Sequence, residues 1–242
     1  MTNEHISFPD PERRQLAVAT TSGDVTVLGE ERDDVAIEGL RRDRVGSRRG
    51  LHVGPEGRID VVPGNRSDDV EIRCPIGTDV IVGTTSGKVL LEGSLGDVRV
   101  TTVSGSVAAE EVEGLDVRGV SGSIEVEECR GRCRVRTTSG TVRIERAGSV
   151  EVGTVSGTVE VEHVEGSARI KAVSSSIDVT AGGEGDIDVH SISGSVAIAL
   201  PAGVRPNVHA RSFGRIQSDV EEGDDCRVRV KSASGSITLA EG

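Results

Sequence analysis

The chain has 242 residues, 40 Asp and Glu against 28 Lys and Arg for a net charge of -12, and 32 glycines, but 2 Phe and no Trp or Tyr. That length admits one large or two small domains. The acidity and the missing rings exclude a nucleic-acid binder with a basic stripe and stacking platforms, and they leave Val, Ile, Leu and Ala to fill a thin core.

Met1 to Thr20 shows no basic start followed by an apolar run, and no stretch approaches the ~18 apolar residues of a membrane span. The expectation is a soluble, cytoplasmic chain, with signal-independent export left open. Arg14 to Gly39, RQLAVATTSGDVTVLGEERDDVAIEG, reads as three short strands around a Thr-Ser-Gly corner. Arg41 to Gly50, RRDRVGSRRG, is a charged insertion. Leu51 to Pro63 and Asp68 to Val82 resume strands. Residues 1–80 are therefore an irregular lead-in, and residues 81–242 a regular stack in the same continuous domain.

The stack is written by a repeat. Ser86, Ser104, Ser121, Ser139, Ser156, Ser174 and Ser193 follow one another at steps of 18, 17, 18, 17, 18 and 19 residues. All but Ser174 precede Gly, and Gly96, Gly114, Gly131, Gly148, Gly166, Gly185 and Gly203 fall about halfway between. Between corners, apolar and polar residues alternate with period two, the mark of half-buried strands. In the unit from Ser121 to Thr138, Ile124, Val126, Cys133 and Val135 point inward, and Glu125, Glu127, Arg134 and Arg136 outward. Like letters recur at every full unit, so parallel stacking aligns like with like. The predicted fold is an all-β, single-domain β-solenoid, with coils of ~17–19 residues and two main strands per coil. Pro201 and Pro206 sit in a longer unit that reads as a bulged coil, and the last unit, Ser234 to Gly242, reads as an uncapped end.

Val70 to Gly93, with Pro75 and Gly77 followed by serial Ser-Gly units, resembles the putative adhesin family, a prokaryotic domain of unknown function built of Ser-Gly-punctuated β-strand repeats. The likeness covers roughly residues 16 to 240. It implies a β-solenoid-like fold and no assigned catalytic residues.

The recurring Ser is not a nucleophile elbow, which needs Gly-x-Ser-x-Gly at a strand-to-helix turn. Gly supplies the corner conformation and Ser bonds the turn backbone. His5, His52, His163, His190 and His209 are scattered and read as surface residues. Cys129 and Cys133 bracket the Gly131 corner in otherwise apolar columns and read as small buried hydrophobes, with a disulfide across the corner as the alternative. No phosphate loop or metal motif appears, so no cofactor is expected.

One constellation stands out. On the first strand of each unit, an outward column reads Glu92, Glu110, Glu127, Glu145, Glu162. On the second it reads Arg99, Arg118, Arg136, Gly153, Lys171, His190. These charged walls point to a non-catalytic scaffold or interaction protein, whose partner is another protein or a second copy, joined laterally or end to end. The alternatives are surface adhesion, implied by the family's name, and a polysaccharide-active β-helix enzyme, which lacks its sugar-stacking rings here.

Overall fold

Val, Ile and Thr alternating with charged residues favour extended backbone, because β-branched side chains are stiff at χ1 and pack well on a pleated surface. The computed structural model describes residues 4–10, 14–38, 50–53, 58–62, 67–183 and 185–242. Every regular element among them is a β-strand, as the alternation predicts. The expected charged insertion lies outside the described residues except for Gly50. The chain divides into two compact units, Met1–Gly122 and Ser123–Gly242.

The first unit holds β1 (Glu4–Ser7), β2 (Gln15–Ala19), β3 (Val25–Glu30), β4 (Asp34–Glu38), β5 (Gly50–Val53), β6 (Ile59–Val62), β7 (Val70–Pro75), β8 (Asp79–Gly83), β9 (Val89–Thr101) and β10 (Val107–Arg118). Its parallel strands form two rows. In one, β3 lies between β7 and β9, so Val25 stands beside both Val70 and Val89, and β10 continues beyond β9. In the other, β2 lies between β6 and β8, so Leu16 stands beside both Ile59 and Val80. The earliest repeat is therefore covered by strands that follow it. Antiparallel strands close that side: β4 on β7, β1 on β4 and β5 on β6.

The second unit holds β11 (Ile124–Arg136), β12 (Ser139–Gly153), β13 (Ser156–Val164), β14 (Ala168–Lys171), β15 (Ser174–Ala181), β16 (Ile187–Ser193), β17 (Val196–Leu200), β18 (Asn207–Arg211), β19 (Ile216–Ser218), β20 (Arg227–Ser234) and β21 (Ile237–Glu241). One parallel row runs β11, β12, β13, β15, β17, β21, β19. The other runs β11, β12, β14, β16, β20, β18. The inward column Ile124, Val142, Val159, Ile177, Val196 and Ile237 is at most 2% exposed, and Val135, Val152, Ile170, Val189 and Val230 are buried in the other row. Each such side chain contributes roughly 1.5–3 kcal/mol by leaving water.

Two sequence expectations change here. Residues 201–226 are not a bulge in one coil, because β18 and β19 form a separate outer layer. The last repeat is not an uncapped end, because β21 pairs with β17 on one side and β19 on the other, and β20 with β16 and β18. The reason lies in the side chains. Val228, Val230, Ile237 and Leu239 are wholly buried and need apolar neighbours on both sides. No residue of β18 or β19 is buried, which suits short polar strands at an edge.

The corners also divide their labour differently from expectation. The hydroxyl that bonds its own corner belongs to the buried residue two places before the Ser. Thr102 Oγ1 accepts from the Gly105 N–H at 2.9 Å, Thr137 Oγ1 donates to the Ser139 carbonyl at 3.0 Å, and Ser191 Oγ donates to the Ser193 carbonyl at 2.9 Å. The Ser of Ser-Gly reaches the neighbouring repeat instead: Ser104 Oγ donates to the Thr85 carbonyl and Ser193 Oγ to the Val173 carbonyl. The Gly has two reasons to be Gly. Gly157 has φ of 127°, and a Cβ there would collide with the backbone of Gly140 in the adjacent repeat.

Gly157→Ala is therefore expected to lower stability by ~2 kcal/mol or more, combining left-handed strain with the collision. Gly77→Ala, at φ 74° with nothing within 4 Å of the new Cβ, is expected to cost only ~1 kcal/mol. Urea unfolding of the two variants measures the difference.

Candidate interaction walls

The corner hydroxyls of Thr102, Ser104, Thr137, Thr154, Ser191 and Ser193 are engaged with backbone, and the chemistry that remains on the surface is in the charged columns. In the first unit the register brackets Glu92 and Glu110 as neighbours, between Leu91 beside Ala109 and Ser94 beside Glu111. Glu110 turns back to accept the Gly93 N–H at 2.8 Å, and Glu111 accepts the Ser94 hydroxyl at 3.0 Å. In the second unit, Val126, Ile144 and Val161 stand side by side, as do Glu128, Arg146 and His163. Glu127, Glu145 and Glu162 lie between these two columns, all exposed. Their surroundings carry cations: Arg143 pairs with Glu160 at 3.0 Å and Glu162 at 3.6 Å, and Arg146 with Glu128 at 3.3 Å.

The basic column needs one correction. Arg99 stands beside Asp116, while Arg118 stands beside Thr101, so Arg99 and Arg118 do not share a column. The signal was present in the letters: Arg99 precedes its inward Val100, whereas Arg118, Arg136, Lys171 and His190 each follow their inward residue. In the second unit the column stands as read. Arg136, Gly153, Lys171 and His190 are successive neighbours, and the structure adds Lys231 and Arg211 beyond them.

A second outward column beside it, missed from the sequence, alternates in sign: Arg134, Glu151, Arg169, Asp188, Arg229, then His209. Arg134 holds Glu151 at 2.7 Å, and His190 meets Asp188 at 2.9 Å. The hydrogen bonds from Arg134 hold the Glu151 carboxyl below the usual glutamate range, against the opposing effect of partial burial. Arg132, Ser149, Ser167, Arg169, Asp188 and Arg229 help to line a groove of ≈ 260 Å³ over this column. The outward positions of this row carry Arg132, Arg134, Arg136, Arg169, Lys171, Arg211, Arg227, Arg229 and Lys231 against Glu151, Asp186 and Asp188. The other row carries Glu125, Glu127, Glu128, Glu145, Glu160, Glu162 and Asp178 against Arg143, Arg146 and Arg215. Charge is thus segregated by row.

All four cysteines are buried, and none is in a disulfide. Cys129 stands beside Ala147 and Cys133 beside Val150, in the expected apolar columns. A hydrogen bond between the Cys129 and Cys133 thiols, together with full burial, pushes Cys133 well above the ordinary thiol value. Burial pushes Cys74 up to about 11. His5, His163, His190 and His209 lie apart on the surface, and the side chain of His52 lies outside the described residues. Among the described residues no three His, Cys, Asp or Glu side chains converge on a metal-sized point. No helix among them is long and apolar enough to cross a membrane.

The model of the family described as Toastrack DUF4097 matches residues 14–240. No curated protein matches the chain. Among solved structures, the chain is similar to a putative cell adhesion protein from Clostridium sporogenes, with 9% identity, 100% of this chain and 99% of that chain covered, and a TM-score of 0.28.

Two outcomes follow. Native thiols are expected to resist iodoacetamide at pH 8 and to alkylate only after unfolding, as mass spectrometry of time points reads, because thiolates of raised pKa behind a closed core are neither formed nor reached. The Glu151 pKa lies lower folded than unfolded, so its pair with Arg134 adds stability above the ordinary glutamate range and loses it as pH falls through the depressed value. Because the pair is about a third exposed, Arg134→Met is expected to cost only ~0.5 kcal/mol at pH 7, fading in acid, in parallel urea titrations.

Proposed function

The chain belongs to the Toastrack DUF4097 family, and on that footing we propose that it is a non-catalytic interaction module that associates laterally with further copies of itself through its charged β-walls. Each unit is read as a β-solenoid, one repeat per coil, with two strands facing outward on separate rows. The observation that carries the reading is the segregation of charge in the second unit. One row presents Glu127, Glu145 and Glu162, and the other Arg136, Lys171, Lys231 and Arg211.

Complementary walls on one chain make a heterologous contact, in which the acidic row of one copy meets the basic row of the next. The basic column, in which Gly153 and His190 interrupt the Lys and Arg, and the carboxylates share the strand interval, so the contact repeats along the layers. Each exposed pair is worth little, roughly 0.2–1 kcal/mol, so the association draws on the number of pairs and weakens with salt. The non-catalytic reading is supported by the corner hydroxyls of Thr102, Ser104, Thr137, Ser191 and Ser193, which are spent on backbone hydrogen bonds.

Light scattering on the purified chain is expected to give oligomers at low ionic strength and monomers at high. Glu127→Lys with Glu145→Lys is expected to leave a monomer at both. A wild-type monomer at low salt, or association that survives the double reversal, defeats the proposal.

A further inference from the structure

In the second unit, the corner where one strand row passes into the other has a composition unlike the strands that it joins. Its six segments are RTTSGTV from Arg136, GTVSGTV from Gly153, KAVSSSI from Lys171, HSISGSV from His190, KSASGSI from Lys231 and RSFGRIQ from Arg211. They contain no Asp or Glu, where the chain's 40 in 242 residues lead one to expect about seven. The other corner is different: it carries Glu128, Glu165 and Asp186.

The register stacks these segments. Ser139, Ser156, Ser174, Ser193 and Ser234 are successive neighbours, which places Thr138, Val155, Val173, Ile192 and Ala233, each one residue earlier, in a single line. The Phe213 N–H donates to the Ala233 carbonyl and so joins the line at its outer layer. Val155, Val173 and Ile192 are 47%, 39% and 56% exposed, and Phe213 is 97% exposed. Successive members lie about 4.8 Å apart. This is a continuous apolar ridge, and it takes up one of the chain's two aromatic side chains. Isolated exposed apolar residues need no explanation, but an ordered line of them marks a contact surface.

Two residues back along the segments runs the column Arg136, Gly153, Lys171, His190, Lys231 and Arg211, cationic at all but Gly153 and His190. On the other flank stand Thr141, Thr158, Ser176, Ser195 and Ser236. The ridge therefore has a cationic border and a hydroxyl border. Apolar side chains that enter the acyl boundary, cations at the level of anionic headgroups and hydroxyls among the headgroup oxygens are the chemistry of an interfacial anchor.

We propose that this corner docks the protein on an anionic lipid surface, with Phe213, Ile192, Val173 and Val155 entering the interface and Lys171, Lys231, Arg136 and Arg211 meeting the headgroups. The carboxylates of the acidic row do not oppose this. They begin beyond the hydroxyl border, and repulsion between exposed charges fades over a Debye length of about 8 Å at physiological salt. The ridge is separate from the acidic ladder, and although the cationic border is the same column that the lateral contact would use, this inference does not require self-association.

Flotation with phosphatidylcholine vesicles, and with vesicles that are about one-third phosphatidylglycerol, tests the proposal. The full chain is expected to float with the anionic vesicles and not with phosphatidylcholine alone. Phe213→Ser and Ile192→Ser are each expected to weaken partition about tenfold. Lys171→Glu with Lys231→Glu is expected to abolish it, with the melting temperature of each variant showing that it is folded. Three results overturn the proposal: no partition of the wild type into anionic vesicles, partition unchanged by Phe213→Ser, or a dimer in light scattering that Phe213→Ser dissolves while vesicles stay unbound. The second result means adsorption by charge alone, and the third means that the ridge is an interface between copies.

Discussion

Parallel, in-register stacking is the constraint on which everything else depends. It sets each residue beside its equivalents one repeat before and after, so a choice at one position is judged in a column. Inward columns accept Val and Ile because a β-branched neighbour packs on a β-branched neighbour. Val142, Val159, Ile177, Val196 and Ile237 show this with almost no exposure. Corner columns accept Gly because the backbone of the adjacent repeat occupies the place of a Cβ, as at Gly157 and Gly235. Outward columns inherit a penalty, because like charges one strand spacing apart repel by roughly 1 kcal/mol in water. The chain relieves it with cations in the next column, where Arg143 reaches both Glu160 and Glu162.

The same constraint makes edges dangerous. A parallel layer with unpaired backbone groups is a template for another chain. Both units manage this by the same device: a repeat from near a terminus is placed inside the rows and a different layer covers it. In the first unit β6 and β7 cover β2 and β3, and antiparallel strands follow. In the second, short polar β18 and β19 cover β20 and β21. Edge pairing is thereby discouraged, and contact with partners is left to side chains on the rows and at the corner. Those side chains sort into an acidic row, a basic row and an apolar ridge with a cationic border.

Much of this was legible. The period-two alternation identified strands, inward columns and buried cysteines, because pleat direction is a local property of an extended chain. The Glu column and the column from Arg136 to His190 follow from the same counting. What failed was counting across an irregularity. The repeat steps vary between 17 and 19, and the register shifts between Ala109 and Glu111; Arg99, which precedes its inward Val100, was grouped with residues that follow theirs, two positions from its true neighbour Asp116. The alternating column of Arg134, Glu151, Arg169 and Asp188 was missed because mixed signs look like noise along the chain and form a pattern only across it. The corner Thr was passed over because Ser-Gly is the more regular mark of the repeat, although the buried hydroxyl of Thr102 closes its turn.

The sequence by itself determined which residues face in, which face out and where the chain turns, since each of these depends on neighbours a few bonds away. It also determined membership of the family, through the spelling of the corners. The tertiary structure alone decided the order of the layers. Nothing local tells Ile237 that it will lie between Val196 and Ile216, because that choice is made by the demand for apolar cover on both sides. The apolar ridge belongs to the same class. Val155, Val173, Ile192 and Phe213 are single exposed residues in the sequence, up to 58 positions apart, and they become a surface only when the stacked corners bring them into line.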